Sequence, residues 1–265
     1  TTVQPRATHP PATPSPPGML QLPVDPPPLP PPAGSPDPAS VTPARVAPIG
    51  VARTLRLATE FALLFAGLPF LFIFTVEPGT RQPLFLLLWV GAALCWLAVR
   101  RDPTFDRAAL WRVRGLGKAL PGILLRWTIA AVALSALVLL IRPEAFLAFP
   151  TQRPERWLMV CTLYPLFSVL PQGIIYRSFL MHRYAPLFPG KWTMLVASSC
   201  AFAIGHAIFR NELAVALTLA GGFLFGWTYM KTRSGLIASI EHALYGNLIW
   251  TVGLGSFLFL GAVRG

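Results

Sequence analysis

Long apolar blocks alternate with short polar segments along most of this chain. The blocks lie at about residues 55–76, 82–99, 120–141, 157–181, 192–209, 213–230 and 235–261. Each is close to the roughly 20 residues that a helix needs to cross a bilayer. The pattern predicts an all-α polytopic membrane bundle of about seven to eight transmembrane helices, at residues 49–265. The last block is long enough for one tilted helix or for a broken one.

Residues 1–48 form a different kind of segment, which is rich in proline and includes DPPPLPPPAGSPDP. Proline has no backbone N–H and its ring clashes with the preceding helical turn, so this segment cannot form the interior of a helix. We expect a disordered cytoplasmic tail with polyproline II character. The tail is either a spacer or a ligand for a proline-binding module.

The composition agrees with a membrane protein. The chain is 54% hydrophobic and 12% charged, with a mean hydropathy of +0.58, whereas a soluble domain carries about 25% charged residues. The net charge of +12 does not indicate a nucleic-acid partner, because the basic residues are spread between the apolar blocks. Their distribution by the positive-inside rule predicts a cytoplasmic N-terminus in a plasma or inner membrane.

Three polar motifs interrupt the last apolar blocks, and buried polar groups in a membrane are costly enough to suggest a function. The first is PQGIIYRSFL, in which Gln172 and Gly173 lie one turn before Arg177. Pro171 should loosen the helix just before them. Arg177 would either extend to the headgroups or pair with a buried acid such as Glu241.

The second and third motifs each carry a histidine. In AFAIGHAIF, Phe202 and His206 share a helix face, although a lone histidine in an apolar helix is more often a hydrogen-bonded packing residue than a ligand. In SIEHALYGNLIW, Glu241 and His242 are adjacent and are followed by Tyr245 and Asn247. A carboxylate beside an imidazole within an apolar helix is hard to explain by packing.

These residue types fit the hydrolysis of a peptide bond. His206 and His242 could hold a divalent metal such as Zn²⁺ or transfer protons near neutral pH. An asparagine or tyrosine could donate a hydrogen bond to a developing oxyanion, and a carboxylate or its amide could orient water. The motifs therefore predict metal-assisted or general-base hydrolysis.

In this order, the three motifs resemble the CPBP family of intramembrane metalloproteases, also called ABI, which includes the CAAX prenyl endopeptidases. The family pattern is EExxxR, FxxxH and HxxxN; here QGIIYR, FAIGH and HALYGN stand in those places, within a core at about residues 157–255. The resemblance implies a membrane endopeptidase that cleaves a membrane-associated protein or peptide, CAAX-type processing included. It also implies that a glutamate and the first histidine activate water. The last histidine and the asparagine would bind the oxyanion or share a metal.

The chain departs from this pattern at two places. Gln172 and Gly173 replace the paired glutamates, and Gly246 occupies the asparagine position, with Asn247 one residue later. Three interpretations follow: Glu241 supplies the missing carboxylate, the two histidines hold a metal, or the protein is an inactive relative that binds membrane peptides as a scaffold. Straight helices would also separate His206 from the other motif residues by roughly 15 Å, at 1.5 Å per residue.

Overall fold

A computed structural model describes Thr1 and residues 50–75 and 82–258. The predicted proline-rich tail, apart from Thr1, lies outside the described residues. Over the described part, the chain is helical and contains no strand, which confirms the all-α prediction.

Seven long helices and one short one make up the described bundle. In chain order they are α1 (Val51–Thr75), α2 (Gln82–Arg101), α3 (Leu116–Ile141), the short α4 (Ala148–Gln152), α5 (Pro154–Arg183), α6 (Lys191–His206), α7 (Glu212–Thr232) and α8 (Gly235–Val252). Each predicted block corresponds to one long helix.

Six of these helices, among the described residues, are long and apolar enough to cross a membrane. They are α1, α2, α3, α5, α6 with the turn that follows it, and α7. Helix α8 is not one of the six, and it carries Glu241, His242 and Asn247. The protein is therefore an integral membrane protein.

Helix α5 remains continuous at Pro171, where the sequence predicted a loosened backbone. It runs for 30 residues and contains two π-helical turns, Pro165–Val169 and Ile174–Phe179. A π turn widens the helix locally and shifts the hydrogen-bond pattern around a proline, which has no N–H to donate. The helix therefore accommodates its prolines by widening, and it stays continuous past Gln172.

Helices α7 and α8 begin at well-formed caps. The side chain of Asn211 accepts a hydrogen bond from the Ala214 N–H at 2.7 Å, and that of Ser234 accepts one from Ile237 at 3.1 Å. Such caps satisfy N–H groups that the first helical turn leaves unpaired. Ser234 also donates to the carbonyl of Arg112 at 2.5 Å, which fixes the start of α8 against the segment between α2 and α3.

That segment is also held against the end of α5. Asp102 contacts His182 Nε2 at 2.9 Å and accepts the hydroxyl hydrogen bond of Thr104 at 2.6 Å. The Thr104 bonds, followed by His182, lower the pKa of Asp102 to about 2. Because the pKa of Asp102 is depressed in the folded protein, its interactions stabilise the fold at neutral pH. This stabilisation is lost as the pH falls through about 2.

Helix α8 ends at Gly253, and we predict that this glycine is required. Gly253 has φ +100°, and a Cβ there would overlap the carbonyl oxygen of Ala145. Gly253→Ala should lower the free energy of unfolding by about 2 kcal/mol or more, from the left-handed backbone and the backbone clash together. Thermal unfolding in detergent measures it.

The matched control is Gly117→Ala, in the first turn of α3. A Cβ at Gly117 meets nothing within 4 Å, so this variant should be neutral or up to about 1 kcal/mol more stable. Equal unfolding temperatures for the two variants would contradict the role of Gly253.

Candidate active site

One cavity of about 1500 Å³ brings together residues from all three motifs. Gln172 of α5, His206 at the end of α6 and His242 of α8 line its wall. Its other polar lining side chains are Arg156, Tyr164, Ser168, Tyr176, Thr218 and Tyr245; most of the remaining wall is apolar. A mostly apolar cavity with a few convergent polar groups is typical of a ligand site.

Both histidines pack against the ring of Phe202. Its centroid lies 4.5 Å from that of His206 and 5.5 Å from that of His242. The separation of roughly 15 Å expected from straight helices is therefore wrong. Helix α6 ends at His206 in a short turn, Ala207–Phe209, and Phe202, one turn before that end, contacts the His242 ring of α8.

The hydrogen bond of His206 determines which ring nitrogen can act as a base. Its Nδ1 lies 2.7 Å from the carbonyl oxygen of Phe202. A carbonyl only accepts hydrogen bonds, so Nδ1 carries the proton, and in the neutral ring Nε2 keeps its lone pair. His206 thus has a fixed tautomer with one basic nitrogen available.

His242 is held by two aromatic neighbours. Its ring stacks on Phe225 with centroids 4.5 Å apart and an interplanar angle of 18°. Its Nε2 lies 3.1 Å from the hydroxyl of Tyr164. The imidazole is therefore fixed at the cavity wall with a phenol beside it.

Gln172 and Gly173 take the places of the glutamates in different ways. Gln172 donates from Nε2 to the Ser168 hydroxyl at 2.8 Å, while its buried Oε1 has no hydrogen-bond partner among the described residues. Gly173 does not line the cavity, and a Cβ there would lie 2.6 Å from the Ser239 hydroxyl. Position 172 thus keeps an oxygen that can accept a hydrogen bond from water. At position 173, the Ser239 hydroxyl occupies the space beside the glycine.

Arg177 does not pair with Glu241. Its guanidinium carbon lies 4.3 Å from the ring centroid of Phe202 and 5.3 Å from that of Phe225. Its two terminal nitrogens are buried without a hydrogen-bond partner in the described chain. Stacking on aromatic faces is how this cation is accommodated.

Glu241 pairs instead with Arg126 of α3. Its Oε1 accepts hydrogen bonds from Nη2 at 2.7 Å and Nε at 3.2 Å, and Arg126 also donates to Thr228 at 3.1 Å. Glu241 is fully buried and does not line the cavity. Its second carboxylate oxygen, Oε2, is buried without a hydrogen-bond partner among the described residues.

Asn247 and Tyr245 differ in whether they face the cavity. Asn247 donates from Nδ2 to the carbonyl of Cys161 at 3.1 Å and does not line the cavity. Tyr245 does line the cavity, with its ring 5.7 Å from that of Phe225. The displaced asparagine therefore serves helix packing, and the tyrosine faces the site.

The donors at the cavity do not match a catalytic zinc site. Zinc enzymes use three protein ligands and leave one position open. Among the described residues, no three His, Cys, Asp or Glu side chains lie close enough together to hold a metal ion. His206 and His242 could supply two nitrogens, but Glu241 is engaged by Arg126.

Residues 154–248 match the family model described as type II CAAX prenyl endopeptidase Rce1-like. This segment, which we call the Rce1-like domain, is similar to the CAAX protease family. This domain contains Gln172, His206 and His242, in agreement with the resemblance that their motifs indicated. No curated protein and no solved structure matches the chain significantly.

A row of polar side chains on one side of α5, within the Rce1-like domain, was not predicted from the sequence. Tyr164, Ser168, Gln172 and Tyr176 recur at every fourth position of α5, and all four line the cavity. Four-residue spacing drifts slowly around a regular helix, and the two π turns lie within this stretch. The spacing was visible in the sequence and would have identified Tyr164 and Ser168.

We predict that the Arg126–Glu241 pair is needed for folding of the Rce1-like domain. Arg126→Met should lower the free energy of unfolding by about 3–5 kcal/mol, because it leaves a buried carboxylate without its cation. The double variant Arg126→Met/Glu241→Leu should recover most of this loss. Unfolding in detergent measures both.

Arg142→Met is the control for the Arg126 variants. Arg142 pairs with Glu144 at 3.5 Å, with both side chains at least half exposed. Its loss should cost less than about 1 kcal/mol. If Arg126→Met were as mild as this control, the pair would not support the fold.

Proposed function

We propose that the protein is an intramembrane endopeptidase that hydrolyses a peptide bond of a membrane-associated protein or peptide. The observation that carries the proposal is the convergence of Gln172, His206 and His242 on one cavity within the Rce1-like domain. Peptide hydrolysis within a membrane requires a cavity that can admit water and that has polar groups in its wall. CAAX-type processing is one form of this activity.

His206 acts as the general base in this proposal. Its Nε2 takes a proton from water while the unpartnered Oε1 of Gln172 accepts the other hydrogen and orients the molecule. The hydroxide oxygen bonds to the scissile carbonyl carbon, and the carbonyl electrons move to its oxygen. A general base contributes about 10²- to 10⁴-fold to the rate.

The tetrahedral intermediate then collapses. The C–N bond breaks as the oxyanion reforms the carbonyl, and the protonated His206 gives its proton to the leaving amine. A hydrogen-bond donor at the His242 side of the cavity stabilises the negative oxygen before this step, a contribution of about 10²- to 10³-fold. No step passes through Glu241, whose carboxylate is bound to Arg126.

Zn²⁺ at His206 and His242 stays a prediction, as do the cytoplasmic N-terminus and the plasma or inner membrane. A metal there would have two imidazole ligands and would polarise water. The proposed mechanism does not depend on it, and a chelator tests for it.

An inactive, peptide-binding relative is the second candidate. It is favoured by the cavity wall, which contains no carboxylate among the described residues. The first glutamate position is an amide and the second is a glycine facing Ser239. Such a protein would keep the cavity and bind a membrane peptide without cleaving it.

Cleavage of a membrane-peptide library by purified protein in lipid vesicles tests the proposed activity. His206→Ala should lower the rate at least 10³-fold, because it removes the base, and His242→Ala should lower it at least 10²-fold. His182→Ala is the matched histidine control, since His182 contacts Asp102 and lies outside the cavity. Mass spectrometry of the products measures the rates, with and without a chelator.

A triple variant separates the two candidate functions. Gln172→Glu/Gly173→Glu restores both carboxylates, and Ser239→Ala removes the hydroxyl that would lie 2.6 Å from the new Cβ. If only this variant cleaves, the natural protein is a binding protein and the endopeptidase proposal is wrong. If the wild type cleaves and His206→Ala does not, the endopeptidase proposal is supported.

A further inference from the structure

Tyr164 occupies the space that a side chain at position 246 would fill. A Cβ built on Gly246 would lie 2.5 Å from the Tyr164 hydroxyl and would overlap its ring. The tyrosine comes from α5 and the glycine from α8, so they meet across a helix interface. Tyr164 can stand at this place only because residue 246 is glycine.

Position 246 lies four residues after His242, where the resemblance places a hydrogen-bond donor. In this chain the nearby amide of Asn247 is directed to the carbonyl of Cys161. The Tyr164 hydroxyl instead lies 3.1 Å from His242 Nε2, and both residues line the cavity. A donor is therefore present at this place, but it is supplied by another helix.

We infer that Tyr164 is a catalytic residue that donates the oxyanion hydrogen bond in place of the displaced asparagine. This inference rests on the proposed endopeptidase function and names a residue of the same site. It also gives Gly246 a role, which is to admit the phenol ring.

The hydrogen bond between the Tyr164 hydroxyl and His242 Nε2 determines where the phenol proton can point. In the tautomer with its proton on Nε2, His242 donates to the Tyr164 oxygen, and the phenol proton is free to point into the cavity. That proton meets the carbonyl oxygen of the substrate as it becomes negative. No bond to Tyr164 is made or broken, and the phenol keeps its proton throughout.

The kinetic test compares Tyr164→Phe with wild type. Phenylalanine keeps the ring in the same space and removes only the hydroxyl, so kcat should fall about 10²- to 10³-fold while KM changes less than about threefold. The control is Tyr229→Phe, at a buried tyrosine of α7 that does not line the cavity. An unchanged kcat for Tyr164→Phe, with His206→Ala inactive, would overturn the role of Tyr164 while leaving the endopeptidase function standing.

A donor-transfer variant asks whether the hydroxyl, rather than the ring, matters. Gly246→Asn alone should be inactive, because its side chain and the Tyr164 ring need the same space. Tyr164→Ala/Gly246→Asn removes that clash and returns the amide to four residues after His242. It should recover at least 10-fold in kcat over Tyr164→Ala, and no recovery would count against the inference.

Phosphonate peptides keep the inference testable even if hydrolysis is absent. Their tetrahedral, negatively charged group imitates the oxyanion, so wild type should bind them more tightly than the parent peptides. Tyr164→Phe should weaken phosphonate binding at least 10-fold, measured by calorimetry in detergent, and leave parent binding unchanged. Equal binding by the two proteins, or no phosphonate binding by wild type, would overturn the role of Tyr164.

Discussion

The ring of Phe202 is the contact on which the site depends. It is 1% exposed, and it packs against His206 of its own helix and His242 of α8. The guanidinium of Arg177 lies over it at 4.3 Å, and the Tyr176 ring meets it edge-on at 5.1 Å. Four polar side chains from three helices are thus positioned by one aromatic surface.

This arrangement explains how a buried cation is tolerated next to two histidines. Arg177 has no carboxylate partner among the described residues, and the faces of Phe202 and Phe225 provide the compensating negative potential. Loss of either ring would leave the guanidinium in an apolar environment, where an isolated charge is very costly. The phenylalanine of FxxxH is therefore as much an electrostatic element as a packing one.

Three glycines near the motifs share one structural feature. A side chain at Gly173 would meet the hydroxyl of Ser239, at Gly205 that of Tyr176, and at Gly246 that of Tyr164. In each case a hydroxyl group from a neighbouring helix lies in the space next to the glycine. Small residues allow such close approach between membrane helices. The departures from the family pattern are thus filled by other polar groups and do not leave empty space.

The sequence predicted the helices for a clear physical reason, since apolar blocks of bilayer length located every long helix among the described residues. The motifs that carry Gln172, His206 and His242 were recognised in the sequence, and these three side chains line one cavity. Pairings across distant helices were not predictable, because Arg126 and Glu241 are joined only by the packing of α3 on α8. The π turns around Pro171 were not predicted, because a proline within a helix is compatible with a kink, a break or a π turn.

Among the described residues, the position of the one buried acid bears most directly on the proposed chemistry. Glu241 is adjacent in sequence to His242, yet successive residues of a helix point about 100° apart, and Arg126 binds the Glu241 carboxylate. Use of Glu241 as a base beside His206 would require breaking that pair. In the proposed reaction Gln172 cannot take a proton, so the water must lose its proton to an imidazole. The proposed activity therefore depends on how well hydrogen-bond donors at the cavity stabilise the oxyanion, which makes the neighbours of His242 more important than they would be with glutamates at positions 172 and 173.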